Sequence, residues 1–219
     1  MYAFVVERCF PWTGRITERV ASVMRMFGVS RRRLEAGSAV HGVKLDLRPG
    51  EICYITGASG AGKSVLLREM YDSVDPEMRL WLDDVLLEEA KSLVECVEGD
   101  LFEAMFLLSR CGLGDVFTML QRPLELSQGQ RYRYRLARAM LSRRQVIFAD
   151  EFCSNLDRLT AAVTAFHLRR WACQKSDKVW ILASSHQDLM CDLQPDVVVI
   201  KHAGREAEVI RRNSKKAAI

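Results

Sequence analysis

Along the chain, apolar positions switch repeatedly between a two-residue rhythm and a three-to-four-residue rhythm. Tyr2 to Val6 reads as a short strand, broken by Pro11-Trp12-Thr13-Gly14. Ile16, Val20, Val23 and Met24 then recur at helical spacing up to Phe27, with Gly28 as the stop. Ser30 to Gly37 reads as a basic loop, and Val40 to Leu47 alternates (Val43, Leu45, Leu47 inward) as a half-exposed strand before a Pro49-Gly50 turn. Ile52 to Thr56 is the next strand, followed by a glycine-rich loop and a helix over Val65 to Met70. After a break at Asp75-Pro76, the pattern predicts a short strand over Met78 to Leu82. Helix is predicted from Leu86 to Cys111, with Leu101, Met105 and Leu108 on one face and Gly112 and Gly114 at its end. A long helix runs from Ser127 to about Ser142. Gln145 to Ala149 and Val179 to Ala183 are continuous apolar strands of the doubly buried kind, separated by a helix over Asp157 to Ala172. A short helix (Asp188 to Leu193) precedes a terminal hairpin of Val197 to Ile200, Ala203-Gly204 and Ala207 to Ile210, and a basic, frayed tail from Arg211 to Ile219. Strands alternating with helices predict an α/β fold whose sheet is parallel in its core.

Composition narrows this little. The chain has 219 residues, 49% apolar and 27% charged, which suits one globular domain over residues 1–219 with a small helical arm at about 84–142. The net charge of +4 permits contact with nucleic acid or a membrane surface without arguing for either. Seven cysteines are scattered without C-x-x-C pairs, which reads as reduced thiols in a cytoplasmic protein and not as a disulfide frame or zinc site. No apolar run approaches the ~20 residues of a membrane helix, and the first ten residues, with Glu7 and Arg8 among them, lack a signal layout.

The chemistry begins at Gly57-Ala58-Ser59-Gly60-Ala61-Gly62-Lys63-Ser64, between a strand and a helix. This is the G-x-x-x-x-G-K-S spacing of a P-loop. Glycines let successive backbone N–H groups wrap an anion, and the helix that opens at Lys63 adds the positive end of its dipole. Lys63 supplies a point charge for the outer phosphates, and the Ser64 hydroxyl suits Mg²⁺. A second signal is Val146-Ile147-Phe148-Ala149-Asp150-Glu151, a buried strand that presents two carboxylates at its carboxyl end, where ligands sit in open α/β sheets. Beside a triphosphate, Asp150 would hold Mg²⁺ and Glu151 would polarise the attacking water.

Leu126-Ser127-Gln128-Gly129-Gln130, followed by the helix Arg131 to Met140, resembles the L-S-G-G-Q signature of ABC-type ATPases, with Gln128 where the first glycine usually stands. Ser154-Asn155-Leu156-Asp157 resembles that family's D-loop, and Ser184-Ser185-His186 its switch histidine. The resemblance runs from about residue 40 to 210. It implies a P-loop fold with a mixed sheet, a small helical subdomain and a short antiparallel β region. It also implies ATP and Mg²⁺ as ligands and a homodimer with ATP at the interface, where Ser127, Gly129, Gln130 and Asp157 face nucleotide. His186 would touch the γ-phosphate. The strings ITGASGAGKSVLLREM, LSQGQRYRYRLARAM and DEFCSNLD resemble stand-alone members of the family, some fused to an acetyltransferase-like domain.

Departures shape the functional readings. Transporter ATPases place a glutamine loop between the P-loop helix and the signature. The 62 residues between Ser64 and Ser127 offer no counterpart, since Gln121 lies too close to Ser127. Phe10, Trp12 and Phe27 are candidates for stacking on adenine. The leading expectation is an ATP hydrolase working as a dimer apart from any membrane importer. One alternative is the energising subunit of a transporter, with an unidentified partner protein doing the spanning. Another is an ATP-switched nucleic-acid module using Arg31, Arg32, Arg33, the arginines after the signature, and Arg211, Arg212, Lys215 and Lys216.

Overall fold

Burial decides the central strand. In the computed structural model, which describes residues 1–10, 12–36, 39–175, 177–203 and 205–212, all five side chains of Ile52–Thr56 are buried. In chain order the described elements are β1 (Tyr2–Phe10), α1 (Glu18–Met26), α2 (Arg31–Ala36), β2 (Ala39–Leu47), β3 (Ile52–Thr56), α3 (Lys63–Asp72), β4 (Arg79–Trp81), α4 (Leu93–Cys96) and α5 (Leu101–Arg110). There follow α6 (Val116–Leu120), α7 (Gln128–Leu141), β5 (Val146–Ala149), α8 (Arg158–Gln174), β6 (Val179–Ala183), α9 (Met190–Leu193), β7 (Val197–Ile200) and β8 (Glu208–Arg211).

The main sheet has the order β4-β5-β6-β3-β7-β8. Its first five strands run parallel, and β8 returns antiparallel beside β7 as the terminal hairpin. β1 and β2 form a separate antiparallel ribbon, in register from Tyr2↔Leu47 to Phe10↔Ala39. The architecture is therefore the α/β one, with a mixed sheet, a helical arm and a short antiparallel β region.

The two-residue period of β3 sorts its side chains between two cores. Cys53 and Ile55 pack with Leu66, Leu67 and Met70 of α3 and with Phe4, Val43, Leu45 and Leu47 of the ribbon. Ile52 and Tyr54 face the other way, among Ile147, Trp180 and Leu182 of the sheet, Leu136 and Met140 of α7, and Leu107 and Leu108 of α5. At the β4 edge, Tyr71 meets Trp81 and Phe148 edge-on at centroid distances of 5.3 and 5.2 Å. Arg68 lies over the Trp81 ring at 3.9 Å, so even the exposed side of this cluster is covered by a cation.

Three sequence expectations need correction. The stretch Leu86 to Cys111 is not one helix. A Ser92–Glu95 capping box starts the four-residue α4, Gly99 turns the chain at φ 111°, and Asp100 caps α5 by accepting from the Glu103 N–H at 2.8 Å. Start signals inside the run overrule its apolar period. The basic segment expected as a loop forms α2 as far as Ala36; Gly37 lies outside the described residues. Arg211 belongs to β8, not to a frayed tail, and its guanidinium binds Glu51 at 2.7 Å; residues 213–219, like Gly204 of the hairpin turn, lie outside the described residues. Cys53, Cys96, Cys111 and Cys153 are buried free thiols. Burial pushes Cys53, Cys111 and Cys153 up to about 12, so they act as small apolar fillers.

Asp196 ties three elements together. It accepts the Ile52 N–H at the start of β3 (2.9 Å) and takes Arg169 of α8 in a fork of 2.7 and 3.1 Å. Both side chains are about four-fifths buried. Asp196→Ala strands a backbone donor and a guanidinium together. It is expected to cost about 2–4 kcal/mol of stability, read as a lower urea midpoint at unchanged slope.

Candidate functional site

Gly57 gives the loop after β3 its shape. Its φ is 147°, and a Cβ there would stand 2.2 Å from the Lys201 carbonyl oxygen at the end of β7. Gly62, at φ 92°, turns the chain into α3. α3 opens at Lys63 with no side-chain cap, so its first N–H groups remain available to an anion. The Lys63 ammonium donates to the carbonyls of Gly57 at 2.9 Å and Ala58 at 3.0 Å, which folds it over the loop. Ala61 is buried and stiffens the loop through its N–H to the Ala58 carbonyl at 3.2 Å.

The loop forms one wall of a cavity of about 320 Å³. Ser59, Gly60 and Gly62 of the loop and Lys63, Ser64 and Val65 of α3 line it, with Asp150 and Glu151 from the end of β5 and Ser184 and Ser185 from the end of β6. The fold thus brings together the two strongest sequence signals and adds Ser184 and Ser185, which sequence reasoning quoted only as neighbours of His186. Among the described residues no group of three or more His, Cys, Asp or Glu could hold a metal ion alone. The donors at the cavity are oxygens: the Ser64 hydroxyl and the carboxylates of Asp150 and Glu151. Such a partial oxygen set fits Mg²⁺, which takes one or two protein oxygens and completes its shell with phosphate and water. A larger cavity, about 630 Å³, lies where the end of α7 meets Glu77, Leu80 and Asp84; it holds none of the predicted site residues.

The turn that carries the carboxylates is strained and firmly tied. Glu151 and Cys153 have φ of 47° and 60°, left-handed values that side-chain-bearing residues rarely adopt. Asp150 Oδ1 accepts the Glu151 N–H at 3.0 Å, the Phe152 N–H donates to the Ala183 carbonyl at 2.8 Å, and the Cys153 N–H donates to the Tyr132 hydroxyl at 3.1 Å. Tyr132 is on α7, one turn after the signature. Burial raises its phenol well above the ordinary value, so it remains a neutral hydroxyl. Sequence reasoning missed it; an aromatic at 132 reads as one more residue of a basic helix until the fold sets it under the turn.

The signature lies elsewhere. Ser127 caps α7, with its Oγ accepting the Gln130 N–H at 3.3 Å and its own N–H donating to Gln130 Oε1 at 2.9 Å. Gly129 packs against the following turn, where a Cβ would meet Leu156 at 3.1 Å. Ser127, Gly129 and Gln130 do not line the Lys63 cavity. Neither does Asp157, which caps α8; hydrogen bonds from Thr160 hold its carboxyl below the usual range. His186 lines a separate recess of about 210 Å³ with Cys153, Leu156 and Asp188, and its carbonyl accepts the Tyr54 hydroxyl at 2.6 Å.

The post-signature arginines are engaged inside the fold. Arg131 reaches the Leu124 carbonyl, Arg133 those of Cys111 and Gly112, Arg135 pairs with Asp83 at 3.0 Å, and Arg138 binds the Tyr134 hydroxyl. They do not form a free stripe for nucleic acid. Asp83 stands just after β4, in the stretch between Ser64 and Ser127, and its ion pair joins that stretch to α7. Of the adenine-stacking candidates, Trp12 is half-buried and packs over Gly14 while Phe27 is 75% exposed; the Phe10 side chain lies outside the described residues.

Known proteins similar to this chain are ATP-binding cassette proteins. The family model described as ABC transporter matches residues 40–95. The phosphonates import ATP-binding protein PhnC 2 of Cupriavidus metallidurans is 28% identical, covering 78% of this chain and 75% of that protein. The aliphatic sulfonates import ATP-binding protein SsuB of Cupriavidus necator is 34% identical over 59% of this chain and 50% of its own length. The lipoprotein-releasing system ATP-binding protein LolD of Pseudomonas syringae is 28% identical over 80% and 91%. Among solved structures, a dimeric bacterial ABC transporter cassette superposes with a TM-score of 0.60 at 18% identity, covering 78% of this chain and 89% of that one. The names of these relatives run against the expectation that the chain stands apart from importer subunits.

Tyr132→Phe leaves the buried Cys153 N–H without its acceptor. It is expected to cost about 1–3 kcal/mol of stability, measured by urea denaturation, and to lower kcat for ATP about tenfold as the Glu151 turn loosens.

Proposed function

We propose, for a chain that belongs to the ABC-type ATPases and hydrolyses ATP, that it works as a head-to-tail homodimer with two ATP molecules sandwiched between the copies. The observation that carries this reading is the separation of the site: Lys63, Ser64, Asp150 and Glu151 share one cavity, while Ser127, Gly129 and Gln130 lie outside it. A second copy related by two-fold symmetry would bring its Ser127 and Gly129 to the open side of the nucleotide, in a closed isologous pair. A solved ABC transporter cassette of like fold is dimeric, which is in keeping with a paired arrangement.

Each residue then has a task. Backbone N–H groups from Gly60 to Ser64 hold the phosphates, and Lys63 leaves its carbonyl contacts to neutralise the outer oxygens. Ser64 and Asp150 would hold Mg²⁺, which when bound screens the charge that builds on the phosphate oxygens during transfer. Glu151 orients and polarises the attacking water, and His186 moves from its recess to the γ-phosphate. ATP favours the closed pair because only there does it touch both halves. The buried free thiols support placing the engine in a reducing compartment, on the cytoplasmic side.

A second reading extends the first: the homodimer energises a membrane partner. It is favoured by the import systems for which two of the relatives are named. It is also favoured by exposed apolar side chains on the arm: Phe102 on α5 and Phe117 and Leu120 on α6 are 81%, 79% and 63% exposed.

Glu151→Gln is expected to keep ATP binding, to cut turnover by about a hundredfold or more, and to accumulate a dimer with Mg-ATP. Size-exclusion chromatography with light scattering reads the outcome. A species that stays monomeric at saturating nucleotide would refute the sandwich.

A further inference from the structure

Between β1 and β2 the chain leaves the ribbon and builds α1 and α2. α1 is strongly amphipathic, yet none of its side chains is buried. Val23, Met26 and Phe27 are 54%, 81% and 75% exposed, and Ile16 just before the helix is 39% exposed. A helix of a globular domain normally turns such a face to the core. Here the core is complete without it, since the ribbon packs through Phe4, Val6, Val43 and Leu45.

The charge around this face is one-sided. Residues 12–36 contain six arginines (Arg15, Arg19, Arg25, Arg31, Arg32 and Arg33) against Glu18 and Glu35, an excess equal to the formal net charge of +4 of the whole chain. Thr17 caps α1 by accepting the Val20 N–H, and Ser22 donates to the Glu18 carbonyl and accepts from Arg25, so local bonds hold the helix while Val20 and Met24 are no more than half-buried. At about 100° per residue, Ile16, Val20, Val23 and Phe27 fall on one arc. Arg19 falls between Val23 and Met26 at the edge of that arc.

We infer that α1 is an interfacial helix that docks the protein on an anionic lipid surface. The apolar arc enters the acyl boundary, and the arginines meet the headgroups. Arg19 selects among occupants. At the edge of a bilayer its stem lies along the apolar zone while its guanidinium reaches phosphate, whereas a protein groove closing over the same arc would trap the charge. Nucleic acid would use the arginines but leave Val23, Met26 and Phe27 in water. This inference goes beyond the ATPase reading and does not rest on it, because α1 contributes nothing to the Lys63 cavity.

Flotation of the full chain decides it, using vesicles of phosphatidylcholine alone and of phosphatidylcholine with phosphatidylglycerol at about three to one. Duplex DNA and single-stranded RNA are titrated in parallel. The expected result is flotation with the anionic vesicles only, weakened by salt. Val23→Asp with Met26→Asp should lower vesicle affinity about tenfold or more, and Arg15→Glu with Arg19→Glu should do the same. Neither pair opens a cavity, and an unchanged thermal melt confirms that each variant folds. Flotation that ignores Val23→Asp/Met26→Asp in a folded variant overturns the inference. So does failure of the native chain to float, or binding to RNA or DNA in preference to the anionic vesicles.

Discussion

The fold closes around the meeting of β3 and β7 at Gly57. The Lys201 N–H donates to the Thr56 carbonyl at 2.7 Å, and the Lys201 carbonyl then crowds the space where a Cβ of residue 57 would stand. Two parallel strands therefore end flush, and the chain has one way out: over the sheet edge, through a left-handed turn and into α3. Everything at the cavity inherits this placement. The carboxylates of β5 and the serines of β6 reach the same edge because they lie in the same parallel sheet, in registers that run unbroken from β5 through β6 to β3. Parallel strands deliver all their carboxyl ends to one side, so a loop, an acidic pair and a serine pair far apart in sequence become neighbours.

The cavity has two kinds of wall. The loop wall is shaped by glycine and stiffened by its own carbonyls. The acidic wall holds non-glycine residues at positive φ and survives because Tyr132, Ala183 and Asp150 each take one of its backbone donors. Left-handed geometry at Glu151 and Cys153 costs on the order of 1–2 kcal/mol each. Three hydrogen bonds, at about 1 kcal/mol each, roughly offset it. The strain is thus affordable only while α7 is docked.

Much of this was legible in the sequence. The P-loop, the Asp150-Glu151 pair and the signature announce themselves through spacing, and five-residue apolar runs mark strands buried on both faces. What escaped reading was set by contacts between distant segments. Tyr132 looks like a surface aromatic until Cys153 is brought beneath it. Asp83 looks like loop acid until Arg135 crosses from α7. Leu86 to Cys111 keeps a helical period across a region that caps and Gly99 divide, because apolar periodicity reports which face is buried and not whether the backbone is continuous. The arginine run from Arg31 reads as a loop on charge alone, whereas the structure carries it as a helix.

The Tyr132 hydroxyl has a consequence for coupling. It joins the start of α7 to the carboxylate turn within a single chain. If two copies close as proposed, the start of α7 serves the partner's nucleotide while the carboxylate turn serves the chain's own. One phenol then spans the boundary between two catalytic events. A shift of the start of α7 would then reach the turn beneath Glu151 through the Cys153 N–H that the phenol holds.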